Sequence, residues 1–187
     1  PGVPNELKGI WEVQIKPRLR PVLARGNNPA ITSRILKIAG IGESAMEEKI
    51  MDLILGQTNP TIAPYAGKGE VALRITAKGL DEDENLRLIA AMEAKVRERI
   101  GIYIYGYDSD NLETVIGRIL IKAGWTLATA ESCTGGLVAH RITNVPGSSD
   151  YYLGGVNSYS NQLKVNLLSV PATVIKEYGA VSPETAQ

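Results

Sequence analysis

Residues 125–164 read WTLATAESCTGGLVAHRITNVPGSSDYYLGGVNSYSNQLK, and this stretch decides the architecture of the C-terminal half. WTLATA predicts a short buried strand, ESCTGGLVAHRIT a turn running into a helix, and GGVNSYS a second strand, with NQLKVNLLSV as the helix that follows. Strand, helix and strand in succession predict an α/β domain with a partial sheet. Just upstream, NLETVIGRILIKAG has the spacing of an amphipathic helix ending at Gly124. Downstream, PATVIKEYG predicts another helix, and SPETAQ begins one more with Ser182 as cap and Pro183 at the first position.

Working toward the N-terminus, the pattern resets at Asp108-Ser109-Asp110. Before it, SRILKIAGI reads as a strand punctuated by Gly40 and Gly42, and GESAMEEKIMDLILG as a helix capped near Glu43 or Ser44. TIAPYAG and EVALRITAKG predict a hairpin joined through Gly67-Lys68-Gly69. DEDENLRLIAAMEAKVRERIG carries acids at its front, bases at its back and Gly101 at its end, matching both poles of a helix dipole. IYIYGY closes the unit as a strand. The order β-α-β-β-α-β predicts an α+β sandwich of KH-like or ferredoxin-like type over residues 29–108. Residues 1–28 stand apart: Leu7, Ile10, Trp11 and Ile15 fall near one helix face, Lys16, Pro17 and Arg18 are expected to end that helix, and RPVLARGNNPA reads as a linker. Opening on Pro1 and stopping at Gln187 as a helix begins, the chain is expected to be a piece of a longer protein.

Bulk composition sets limits. The 187 residues hold 20 Lys+Arg against 20 Asp+Glu, so nothing global favours nucleic acid or an anionic membrane surface. No apolar run reaches the ~20 residues that span a bilayer, and no signal-peptide pattern opens the chain. A single cysteine excludes an internal disulfide and suits a cytoplasmic setting. No Cys/His spacing suggests zinc, and no Walker or Rossmann fingerprint is present, so neither a metal nor a cofactor is expected.

The chemistry-bearing residues concentrate in the quoted stretch. Ser132 sits where a strand turns into a helix whose first turn is expected to contain Thr134, Gly135 and Gly136. Unpaired N–H groups at a helix start suit a phosphate or a developing oxyanion, and glycines let a ligand approach the backbone. Spacing alone favours Ser132 as a plain helix cap over a nucleophile, since caps are common at such turns and the G-x-S-x-G signature is absent. His140, the only histidine, lies two turns into the same helix, poorly placed to serve as base. Lys164 is the better candidate. It falls in the first turn of a helix capped by Ser160 or Asn161, where a cation opposes the dipole and the neutral amine is favoured, as a general base requires. A solvated surface lysine is the competing reading. Tyr159 is placed to share a proton relay. Cys133 is a rival nucleophile, because a thiol at a helix start gains thiolate character. Ser148 and Ser149 form a donor-rich loop that suits a ribose or phosphate, or a simple turn.

AESCTGG, VPGSS, the GGVNSYSNQLK block and GAVSPETA, in that order, resemble the start of the CinA C-terminal domain, the nicotinamide mononucleotide amidohydrolase family. The resemblance covers residues 109–187. Residues 30–108, with GIGES and TIAPYAGKGEV, resemble the KH-like middle domain of the same proteins, and PGVPNELK resembles the end of their molybdopterin-binding-like domain. The family implies Ser132 as nucleophile, Lys164 as general base and Tyr159 as its assistant. It implies Cys133, Thr134, Gly135 and Gly136 as oxyanion or substrate donors, with Ser148, Ser149 and Asn161 also on the substrate side. It further implies a small-molecule nucleotide substrate, a homo-oligomer, and a second half of the domain following GAVSPETA. A non-catalytic nucleic-acid-binding or interdomain module is the alternative, disfavoured by the neutral charge and by a glycine pair in a hairpin where KH recognition uses a GXXG loop between helices.

Overall fold

The computed structural model describes residues 4–23, 30–66 and 71–187. It divides into two compact units, Pro1–Ser109 and Asp110–Gln187.

The first unit opens with helix α1 (Pro4–Ile10), which continues through a π turn (Trp11–Ile15) into α2 (Lys16–Leu23). The expected stop at Lys16-Pro17-Arg18 is therefore wrong: the helix passes both Pro17 and Pro21. The Lys16 N–H donates to the Trp11 carbonyl, five residues back. Proline lacks an N–H and its ring crowds the carbonyl four residues earlier, and a widened turn is a standard way to accommodate that conflict. The rest of the linker, residues 24–29, lies outside the described residues.

Strand β1 (Ala30–Ile38), helix α3 (Glu43–Leu55), strands β2 (Thr61–Ala66) and β3 (Val71–Gly79), helix α4 (Glu82–Ile100) and strand β4 (Ile104–Tyr107) follow. The sheet order is β2-β3-β1-β4, with every neighbouring pair antiparallel. Each of the two strand–helix–strand crossovers thus straddles one inserted strand, the split arrangement of the ferredoxin-like class. Strand alternation puts Leu36, Ile38, Leu73 and Ile75 on one face, where they meet Met46, Ile50, Ile89 and Val96 from the two helices, all fully buried. The two hairpin strands pair from Thr61↔Thr76 to Ala66↔Val71; their Gly67-Lys68-Gly69 connection lies outside the described residues. Asp81 caps α4 by accepting from the Asp83 N–H at 3.1 Å, so the acid cluster there serves the helix start. Helix α3 differs in detail: its cap is Gly42, without a side-chain hydrogen bond.

The second unit contains α5 (Leu112–Ala123), β5 (Leu127–Glu131), α6 (Leu137–Thr143), β6 (Tyr152–Asn157), α7 (Asn161–Leu168), α8 (Ala172–Tyr178) and α9 (Pro183–Ala186). Asn111 and Thr114 cap α5 reciprocally, and Gly124 ends it in the left-handed conformation at φ 67°. Strands β5 and β6 run parallel, from Leu127↔Tyr152 to Glu131↔Asn157. Gly155 makes that pairing possible: a Cβ there would stand 2.2 Å from Thr129 Oγ1 and 3.1 Å from the Thr129 carbonyl. No helix of the described residues is long and apolar enough to cross a membrane.

Candidate active site

Two strand ends and the chain leaving each of them build the site. Strand β5 stops at Glu131, and residues 132–136 form a tight turn before α6 begins at Leu137. Thr134, Gly135 and Gly136 therefore precede the helix, a correction to the sequence reading, which placed them in its first turn. Gly136 holds the cap position at φ 95°, a conformation that disfavours any side chain.

Strand β6 ends at Asn157, and Ser160 caps α7 by accepting from the Leu163 N–H at 3.2 Å. Lys164 is the fourth residue of that helix and is only 4% exposed. Its side chain turns back over the helix start. There Nζ lies 2.8 Å from the Ser158 carbonyl, 3.0 Å from the Tyr159 carbonyl and 3.0 Å from Ser132 Oγ. The solvated-lysine reading is thereby excluded, and the serine and the amine picked out separately in the sequence are in contact.

Tyr159 enters through its backbone; its side chain is 71% exposed. Cys133 is exposed beside Ser132, but Lys164 addresses the serine hydroxyl. A cavity of about 480 Å³ opens here, lined by Ser132, Cys133, Ser158 and Lys164 on one side and by Ser182, Glu184 and Thr185 on the other. That volume suits a small-molecule ligand. Ser148, Ser149 and Asn161 do not line it. Ser148 and Ser149 sit in a 3-10 turn that leads into β6, and Asn161 is the first residue of α7. His140 faces solvent and contacts Asn144 at 3.2 Å.

Sequence reasoning missed Glu131, and it read Ser182, Glu184 and Thr185 only as a helix start. Glu131 is 6% exposed. Its Oε2 accepts from the N–H groups of Gly136 at 3.1 Å and Val138 at 2.9 Å, and Oε1 from Ala139 at 2.8 Å. Burial pushes this carboxyl up, but the bonds from Ala139, Val138, the Thr134 hydroxyl and Gly136 outweigh it and hold it below the usual carboxylate range. An acid one turn ahead of a helix start was the available signal. Among the described residues no cluster of His, Cys, Asp and Glu could hold a metal ion.

Comparison with known proteins agrees with this division. Residues 109–187 match the model of the CinA C-terminal domain, and residues 33–106 that of the damage-inducible protein CinA KH domain. A relative from Moorella thermoacetica, named provisionally as a competence-damage inducible protein, is 53% identical over 186 residues, covering 100% of this chain and 44% of the relative. A CinA-like protein of Dictyoglomus turgidum is 45% identical over the same share of each chain. The chain thus spans less than half the length of these relatives. A competence damage-inducible protein A structure from Klebsiella pneumoniae is 38% identical over 40% of this chain and 46% of that one, with a TM-score of 0.39.

Proposed function

Since the chain belongs to the CinA family, we propose that its C-terminal unit is a serine amidase that hydrolyses the carboxamide of nicotinamide mononucleotide to nicotinic acid mononucleotide and ammonia. The observation that carries this reading is the 3.0 Å approach of Lys164 Nζ to Ser132 Oγ beside an open cavity.

Hydrogen-bond arithmetic gives the amine its role. A neutral lysine has two N–H groups and one lone pair. In the structure Nζ donates to the Ser158 and Tyr159 carbonyls and to Ser132 Oγ; to act as base it gives up the proton that faces the serine and keeps the two on the carbonyls. As Oγ attacks the carboxamide carbon, its proton passes to Nζ. The resulting oxyanion needs donors. The N–H of Gly136 is held by Glu131, that of Gly135 by the Ser132 carbonyl and that of Leu137 by the Thr134 carbonyl. Of the turn residues only Ser132 and Cys133 line the cavity, and their amides are the proposed donors to the oxyanion. Lys164 then returns the proton to the amide nitrogen, ammonia leaves, and an acyl-Ser132 ester is formed. Water attacks that ester with Lys164 again accepting the proton, and the acid and free Ser132 are released.

The test is turnover of nicotinamide mononucleotide, following both products. Ser132→Ala is expected to lower kcat about a thousandfold or more while the protein stays folded, and Cys133→Ala to leave it within a fewfold. Near-normal turnover by Ser132→Ala, or collapse of Cys133→Ala alone, sinks the assignment of the nucleophile.

A further inference from the structure

The carboxylate of Glu131 lies against the start of α6, at the end of the turn that carries Ser132, and it takes no part in the proton transfers above. We propose that Glu131 is a positioning residue: its carboxylate fixes the turn carrying Ser132 by holding the N–H groups of Gly136, Val138 and Ala139. The inference rests on the amidase reading of this unit.

Three observations converge on it. First, the side chain occupies the start of α6 with three backbone bonds of 2.8–3.1 Å. An anion so placed satisfies the orphan N–H groups and faces the positive end of the helix dipole. No second anion has a vacancy there. Second, the Glu131 carbonyl accepts from the Ser158 N–H at 2.7 Å and from the Ser158 hydroxyl at 3.3 Å. The Ser158 carbonyl is in turn the shortest contact of Lys164 Nζ, at 2.8 Å. These are main-chain bonds of residue 131: they tie the strand end that carries the carboxylate to the strand end whose carbonyl holds Lys164. Third, Glu131 is buried and ionised, so the arrangement is costly unless all its bonds form together.

Substitution of Glu131 by Gln retains the shape but replaces one accepting oxygen by an NH2 donor, which opposes a backbone N–H. The experiment uses the whole chain and a fluorophosphonate that phosphonylates serine, with the labelled peptide mapped. This probe reports Ser132 reactivity without reference to the nicotinamide substrate. Glu131→Gln is expected to lower kinact at Ser132 at least tenfold while KI stays within twofold, at a temperature where the variant remains folded. Ile142→Val, which weakens the core under α6 without touching the carboxylate, is the control for stability and is expected to label as the wild type does. If kinact of Glu131→Gln stays within twofold of wild type, the carboxylate is a helix cap and the proposal falls while the amidase reading stands. If the wild type is not labelled at Ser132, the serine nucleophile itself is wrong and both fall.

Discussion

Lys164 has three partners, and the allotment of its protons separates a base from an anchor. As an ammonium it would donate to all three; only as an amine can it accept from Ser132. Arginine at 164 tests the distinction, because a guanidinium bonds well to carbonyls but keeps its proton at any pH where the protein is folded. Lys164→Arg is expected to lose turnover about a thousandfold, as far as Lys164→Met, in a steady-state ammonia assay; retention of a tenth of the wild-type rate would assign the lysine to anchoring. Tyr159→Phe keeps the carbonyl that holds Nζ and removes a hydroxyl on an exposed side chain. It is expected to change kcat by less than about fivefold, and a larger fall would give that hydroxyl the relay role implied by the family resemblance. The serine and lysine were legible in the sequence because each stands at a strand-to-helix junction. Their contact was not legible, since it depends on the parallel pairing of β5 with β6, which brings the two strand ends side by side.

Elements of the first unit are tied by charge as well as by apolar packing. Glu93 on α4 receives Arg34 of β1 at 2.7 Å, Arg97 of its own helix at 2.8 Å and the Tyr107 hydroxyl of β4 at 3.0 Å. Burial pushes the Glu93 carboxyl up, but the bonds from Arg34, Arg97 and Tyr107 prevail and hold it below its usual range. A carboxyl depressed in the folded state adds stability above its unfolded pKa of about 4.3 and loses it as pH falls through the folded value. Urea denaturation of Glu93→Gln is therefore expected to show a loss of about 1–2 kcal/mol at pH 7, from charge-assisted bonds to two arginines that are themselves partly exposed, and a loss that shrinks toward pH 3. A loss equal at both pH values would mean that packing, not charge, holds the three elements. Element types were well legible here because strand alternation, acid-led helix starts and terminal glycines all reinforced one another. The helix through Pro17 was not, because local proline chemistry argued for a stop while the backbone absorbed it in a wider turn.

At the scale of the whole chain the two units are unequally built. Among its described residues the first encloses eleven buried apolar side chains in one cluster. The second buries Ile142, Tyr151 and Ile175, and leaves Ile119, Ile121, Trp125, Leu153 and Leu167 more than half exposed. Hydrophobic burial scales with apolar area removed from water, so the unit carrying the candidate site is expected to be the less stable of the two. Two separate transitions are expected in urea. Circular dichroism follows both, and fluorophosphonate labelling of Ser132 reports the second unit alone. The site signal should be lost first. Leu73, fully buried between β1 and the two helices of the first unit, then serves as the discriminating substitution. Leu73→Ala removes buried volume at a cost of about 2–5 kcal/mol, and should move the later transition to lower urea while leaving the midpoint of Ser132 labelling where it was. A shared shift of both midpoints would show that the units unfold as one cooperative body, and that the stability of the site is borrowed from the larger core.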